Sequence, residues 1–256
     1  MNNDDRTFQR VPAVAAELAT ASQDTQHRHS MANACTADHA YVPLWKRVLD
    51  ISCSLIAIPS LLPLMLLIAI YIKISSKGPV LFKQERIGIF GKPFIVLKFR
   101  TMLPGMDTGV HEAHVARLIE TNAPMTKLDA HGDARLIPLA RLLRAAGLDE
   151  LPQLFNVLRG EMSFVGPRPC LPSEYSRYLP HERERFNTLP GLTGLWQVSG
   201  KNRTSFNEMI ELDIHYVRTR SPGLDLKILL KTIPTVLDEV RDITARPAPT
   251  TSRHPS

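Results

Sequence analysis

The run from Ile51 to Ile72 constrains this chain more than any other stretch, because its 22 residues carry no charged side chain. At a rise of ~1.5 Å per residue, a continuous helix of that length reaches roughly 33 Å, enough to cross the hydrocarbon core of a bilayer. Two features bear on its path. Pro59 and Pro63 fall in the middle, and each removes a backbone hydrogen bond and crowds the preceding turn, which calls for a kink or break. Basic residues flank both ends, Lys46 and Arg47 before and Lys73, Lys77, Lys83 and Arg86 after, so the positive-inside rule gives no orientation. A helix that enters the membrane, turns near Pro63 and returns to the same face accounts for both features. A kinked spanning helix and a buried helix of a soluble core are the alternatives.

A length of 256 residues allows one catalytic-sized domain beside this segment. The 44% hydrophobic content excludes a polytopic transporter, and the net charge of +6 suits anionic lipid, phosphorylated substrates or nucleic acid. Nucleic acid is set aside as a partner: aromatic residues are only 6%, and no dense Lys/Arg blocks interleave with them. Cys35, Cys53 and Cys170 have neither metal-ligand spacing nor an even count, which points to a reducing compartment without a disulfide framework.

The chain reads as four parts. Residues 1–40 are polar and without periodicity, expected as a disordered cytoplasmic tail. They are not a secretory signal, because the apolar run starts too far from Met1 and no cleavage pattern follows it. Residues 44–77 form the membrane helix, 78–241 the catalytic domain and 242–256 a second disordered tail. The fold class expected is α+β and membrane-associated, with a re-entrant helix and a compact, mostly helical cytoplasmic domain containing short strands.

Within that domain, strands are expected at Val80–Gln84 and Phe94–Arg100 around a turn at Gly88–Pro93. Residues 104–133 read as a surface insertion around a helix at about 111–121. Helices are expected at Arg135–Ala146 and Leu151–Leu158, the second with Pro152 in its first turn and the preceding carboxylates at its N-terminus. Pro190–Gly194 reads as a loop and Leu195–Val198 as a strand. Two helices, Phe206–Arg218 and Leu224–Val240, close the domain. The stripe of the last, Leu226, Ile228, Leu229 and Leu230 beside Lys227 and Lys231, faces either the core or a lipid interface.

The chemistry concentrates in Leu148-Asp149-Glu150-Leu151-Pro152, followed by Gly166-Pro167-Arg168-Pro169. Adjacent carboxylates in apolar sequence lose hydration unless a cation compensates. Arg144 precedes them and Arg168 follows, and guanidinium groups grip phosphate oxygens in pairs. Acid pair plus arginines suits a phosphate-handling site with a divalent metal. The plainer reading is an aspartate that only caps a helix. Lys98 and Arg100 share one face of a strand, either adding charge to the site or forming a solvated or lipid-facing edge. A membrane-anchored scaffold without catalysis is the rival function, and it would need neither Asp149-Glu150 nor Arg144.

Five motifs occur in order: Lys46-Arg47-Val48-Leu49-Asp50, Lys98-Phe99-Arg100-Thr101-Met102, Leu148-Asp149-Glu150-Leu151-Pro152-Gln153-Leu154, Val165-Gly166-Pro167-Arg168-Pro169 and Pro190-Gly191-Leu192-Thr193-Gly194. Together they resemble the bacterial sugar transferases, monotopic polyprenyl-phosphate hexose-1-phosphate transferases, over about residues 44–240, in the small form without extra membrane helices. The resemblance implies transfer of a sugar-1-phosphate from a UDP-sugar to undecaprenyl phosphate, releasing UMP and opening exopolysaccharide, O-antigen or glycan assembly. It implies Asp149 as a covalent nucleophile, Glu150 with Asp149 as holders of Mg²⁺, and phosphate contacts from Arg144, Arg168, Lys98 and Arg100. It also implies membrane lipid as a partner, a homodimer as an open possibility, and a place on the cytoplasmic face of the bacterial inner membrane. The chain departs from the family where Leu62 precedes Pro63; a Ser-Pro pair is usual there, and Ser60 with Pro59 is near enough to compensate. Trp196 suits either base or sugar stacking or core packing.

Overall fold

The computed structural model describes residues 42–103, 109–125, 135–200 and 204–245. The expectation for the N-terminal tail lies outside the described residues, as do residues 104–108 and 126–133 of the expected surface insertion; in the rest of it Leu118 and Met125 are buried in the core, so that part is not a surface insertion. Residues 242–245, expected in the C-terminal tail, continue the last helix.

The apolar run lies within α1 (Leu44–Ser75), which is helical through both Pro59 and Pro63. The hydroxyl of Ser60 donates to the Ile56 carbonyl at 2.8 Å, the local bond expected from a serine beside a proline-weakened ladder. Its two ends are tied to the domain by different means. At the first, Lys46 Nζ donates to Asp225 Oδ2 at 2.6 Å and to the Tyr216 hydroxyl at 2.9 Å. Arg47 donates to the Val157 and Leu158 carbonyls, both at 2.6 Å. Asp50 Oδ1 accepts from Ser163 Oγ and from the Phe164 backbone N–H. At the second, Met65, Ile68 and Ile72 pack with Phe99, Ile137, Ala140 and Leu143. Between the ends, Leu55, Ile56, Leu62 and Leu64 are exposed.

After α1 comes an antiparallel hairpin, β1 (Leu81–Ile87) and β2 (Pro93–Phe99), with Lys98 opposite Phe82. β1 runs three residues further than the sequence predicts, because Ile87 gains a second partner in Cys170. Helix α2 spans Gly109–Thr121. The helix expected over Arg135–Ala146 is confined to α3 (Ala140–Ala145). Pro138 disfavours helical geometry at Ile137, Leu139 takes a left-handed conformation with φ 56°, and residues 135–137 bond to the backbone of Thr101 and Leu103 instead. A 3-10 turn, Leu148–Glu150, leads into α4 (Gln153–Arg159). Pro152, expected in the first turn, is the residue before it, and the two carboxylates sit about one turn ahead of the helix.

The sheet assignment after residue 160 corrects the sequence reading. Gly191–Thr193, expected as a loop, is strand β4, parallel to β3 (Ser163–Val165). Residues 196–198, expected as a strand, form a 3-10 turn. Gly166 and Gly191 make this possible: a Cβ on Gly191 would meet the Gly166 nitrogen at 2.1 Å, and one on Gly166 the Leu189 carbonyl at 2.3 Å. The two motif segments thus lie backbone on backbone, an approach open only to glycine. A one-turn α5 (Pro172–Tyr175) follows β3, and α6 (Phe206–Thr219) and α7 (Pro222–Ala245) complete the chain. Ser205 and Glu208 cap α6 reciprocally.

The largest core cluster joins Leu118 and Met125 to Tyr178, Phe186, Trp196, Phe206 and Met209. The α7 stripe divides: Ile228 is buried, while Leu226, Leu230, Ile233 and Leu237 are exposed on the opposite face.

Candidate functional site

A cleft of about 460 Å³ opens between α2, α3, the 148–150 turn, β4 and α7, and Glu150, Arg144 and Arg168 line it together. Arg144 and Arg168, 24 positions apart, are thus brought to one cavity by the fold, whereas Asp149, Lys98 and Arg100 are not among the residues that line it. Asp149 lies behind Glu150 with 7% of its surface exposed. Burial pushes its carboxyl up to about 6, opposed by Lys98, reinforced by Glu150 and opposed again by Arg144. A carboxylate held in this way is a better nucleophile than a fully hydrated one, because fewer waters must leave before it attacks.

Lys98 reaches the site from β2. Its Nζ donates to Glu150 Oε1 at 2.7 Å. The register that permits this is fixed by Asn156 of α4, which accepts from the Leu97 N–H and donates to the Ile95 carbonyl. One buried amide thereby docks the helix that follows the carboxylates onto the strand that carries the lysine. Arg100, two residues along, does not join them. It is 6% exposed and donates to Ser76 and Lys77 at the C-terminal end of α1. Carbonyls at a helix end favour a cation, so Arg100 anchors α1, and its expected phosphate role has no support in this placement.

Arg168 is held from behind by buried charge. Its Nη1 donates to Glu174 Oε2 at 3.2 Å, and its carbonyl accepts from Arg185 Nη2 at 2.9 Å. Arg185 is in turn paired with Asp213 and bonded to the Tyr178 hydroxyl. Arg86 lies 3.8 Å from Glu174. Burial alone would raise the Glu174 carboxyl, but Arg168 and Arg86 outweigh it and hold the group below its usual range. Sequence reasoning missed Glu174, Arg185, Asp213 and Asn156. The run Glu182-Arg-Glu-Arg-Phe186 reads as a solvated charged surface, and nothing in its spacing shows that Arg185 is buried.

Trp196 is 5% exposed and belongs to the main core cluster, with part of its side chain in the cleft wall.

The carboxylate pair fits Mg²⁺. Hard cations of this size take one or two carboxylates together with substrate phosphates; Glu150 lines the cleft with two arginines, and the carboxylate of Asp149, next in the chain, is buried. Among the described residues no group of three His, Cys, Asp or Glu side chains converges on a metal position.

Residues 41–239 match the bacterial sugar transferase family. A UDP-glucose:undecaprenyl-phosphate glucose-1-phosphate transferase of Caulobacter vibrioides is 44% identical over 204 residues, covering 77% of this chain and 71% of that protein. The exopolysaccharide production protein ExoY of Sinorhizobium fredii is 39% identical over 191 residues, 75% of this chain and 84% of its own. An undecaprenyl-phosphate galactose phosphotransferase of Salmonella typhimurium is 36% identical, with 75% of this chain matched to 40% of that longer protein. The carboxylate pair, the arginines around it and the glycine-packed strands all fall inside the matched region, and the chain belongs to the bacterial sugar transferase family, as a phosphoglycosyl transferase.

Proposed function

We propose that the protein transfers a hexose-1-phosphate from a UDP-sugar to undecaprenyl phosphate, giving undecaprenyl-diphosphate-sugar and UMP. The observation that carries this reading is a cleft lined by Glu150, Arg144 and Arg168, with the buried carboxylate of Asp149 adjacent to Glu150 in the chain, in a chain whose relatives are named for that chemistry.

In the first step an Asp149 carboxylate oxygen attacks the β-phosphorus of the UDP-sugar. The bond from that phosphorus to the bridging oxygen breaks, and UMP leaves with the electron pair. Asp149 then carries the sugar-phosphate as an acyl phosphate. In the second step a phosphate oxygen of undecaprenyl phosphate attacks the same phosphorus, the bond to Asp149 breaks, and the carboxylate is restored. Arg144 and Arg168 balance phosphate charge across both steps. Lys98 holds Glu150 in place and lowers the proton affinity of Asp149. Asp149 and Glu150 would hold Mg²⁺, which when bound supplies Lewis-acid stabilisation of phosphoryl oxygens.

The membrane reading belongs to the same proposal. A helix crossing the ~30 Å core of a bilayer separates its ends too far for one folded domain to touch both. Here Lys46, Arg47 and Asp50 at one end and Met65, Ile68 and Ile72 at the other pack on the same domain. That supports a re-entrant α1 whose exposed middle enters the lipid on the cytoplasmic face of the inner membrane. The exposed α7 stripe, with Lys227 and Lys231 beside it, suits the same interface.

The test is to supply the detergent-purified full chain with undecaprenyl phosphate and a panel of UDP-sugars, measuring UMP release and lipid-linked product. Product with at least one UDP-sugar is expected. UMP release that never yields lipid-linked sugar would point to a different acceptor, and no release from any UDP-sugar would remove the reading.

A further inference from the structure

The Arg168 guanidinium reaches the cleft from a segment whose backbone is held on both sides. Pro167 and Pro169 fix φ before and after it. The Arg168 carbonyl accepts from Arg185 Nη2 at 2.9 Å, and the Pro169 carbonyl accepts from Arg86 Nη1 at 3.3 Å. Those bonds fix the backbone but not the side chain. Among the described residues Glu174 is the one acceptor that bonds the guanidinium, its Oε2 standing 3.2 Å from Nη1. Glu174 is 1% exposed, and its other oxygen, Oε1, accepts from the Leu171 N–H at 3.1 Å at the start of α5. It also lies 3.8 Å from Arg86, and the charges of Arg86 and Arg168 repel each other. Arg168 nonetheless keeps 21% of its side chain exposed and lines the cleft.

We infer that Glu174 is a positioning residue: it holds the Arg168 guanidinium so that its remaining N–H groups meet a phosphate in the cleft. The inference rests on the phosphate role proposed above for Arg168. Stability alone is a weak account of the pair, because a buried ion pair adds little over apolar packing of similar volume. Arg168 is also partly exposed, so water is available to its charge. An arginine loses rotamer freedom when it grips a phosphate, and a side chain fixed during folding has already given that freedom up. The planar guanidinium carries five N–H donors in a fixed fork, so bonding one nitrogen to Glu174 leaves others for a ligand. The charge of Glu174 acts the other way, since a carboxylate beside Arg168 weakens the local pull on an anion. Positioning and charge therefore predict opposite signs when that charge is removed, which separates them.

The experiment measures equilibrium binding of inorganic pyrophosphate to the full chain in nanodiscs at fixed ionic strength. It compares wild type, Glu174→Gln, Glu174→Asp, Arg168→Met and the two double variants. Glutamine offers one oxygen, so it can answer the Leu171 N–H or Arg168 but not both. Aspartate keeps the buried charge beside Arg86 while shortening the reach to Arg168 by one methylene, so its comparison stands even where the neutral variant does not fold. Each single change at Glu174 should weaken pyrophosphate binding about tenfold, the scale of one charge-assisted hydrogen bond. With Arg168→Met already in place, neither change should weaken it further. Tighter or unchanged binding by Glu174→Gln overturns the inference, because the carboxylate would then act through its charge or not at all. An equal loss in both Arg168 backgrounds overturns it as well, since that marks a structural role. Unchanged binding by Arg168→Met would remove the inference together with the phosphate role of that arginine. Pyrophosphate binding is read without turnover, so these outcomes stand apart from the UMP-release assay. A protein whose pyrophosphate affinity depends on Glu174 through Arg168, yet which releases no UMP, would refute the reaction and leave the positioning role standing.

Discussion

At the residue scale the proposed reaction rests on one buried carboxylate, Asp149, whose burial raises it to about 6. Asp149→Asn preserves shape and removes the charge of the proposed nucleophile. A loss of at least ~10³ in kcat is expected, of the order seen when one member of a catalytic set is removed. The direct check is acid-quenched labelling with a UDP-sugar carrying ³²P in its β-phosphate, without lipid acceptor. Wild type should retain hydroxylamine-labile label and Asp149→Asn should not. Label on the Asp149→Asn protein would place the nucleophile elsewhere. Lys98→Met leaves both carboxylates in place but removes the ammonium 2.7 Å from Glu150. It should lower kcat while leaving the UMP dissociation constant near that of wild type, and an unchanged kcat would show Lys98 to be a bystander.

At the scale of elements, the proposed membrane contact rests on α1. Single cysteines introduced at positions 43 and 77 in a cysteine-free background should both be shielded from a membrane-impermeant maleimide added outside intact cells. Both should react once the cytoplasmic side is opened. Labelling of one end from outside would establish a crossing helix. The first arm is held by a buried pair, Lys46 with Asp225, whose side chains are 1% and 9% exposed. Removing one partner strands the other, so Lys46→Met should cost about 3–5 kcal/mol of stability. Adding Asp225→Leu should recover much of that, and a double variant no better than the single one would show that the ion pair is not the source. These ties were partly legible. The Lys-Arg-Val-Leu-Asp motif was visible before α1, but its partners Tyr216, Asp225 and Val157 lie more than 100 residues away, and no periodicity links them.

For the whole molecule, pH and metal act on the charged framework around the cleft. The folded Glu174 carboxyl lies below its ordinary value of 4.5. A depressed carboxylate contributes stability above the unfolded value and loses it as pH falls through the folded one. The thermal midpoint of wild type should therefore drop below about pH 4.5, and Glu174→Gln should flatten that acid limb; an unchanged limb would assign it to other groups. Excess chelator should abolish lipid-linked product and added Mg²⁺ should restore it, and full turnover in chelator would remove the metal from the reaction. The sequence alone determined the apolar helix, the hairpin, the two C-terminal helices and the carboxylate-arginine motifs, because each rests on local periodicity, turn chemistry or composition. It misplaced the helix at 135–146 and the strand at 191–193, and gave no sign of where Arg100 bonds. Those were decided by tertiary contacts: Thr101 and Leu103 capturing residues 135–137, Gly166 and Gly191 meeting backbone on backbone, and the exposed carbonyls at the end of α1 drawing a guanidinium away from the cleft. Burial of Arg185 and Glu174 behind Arg168 was equally beyond the sequence, since a charged residue reads as solvated until the fold supplies the partner that compensates its lost water.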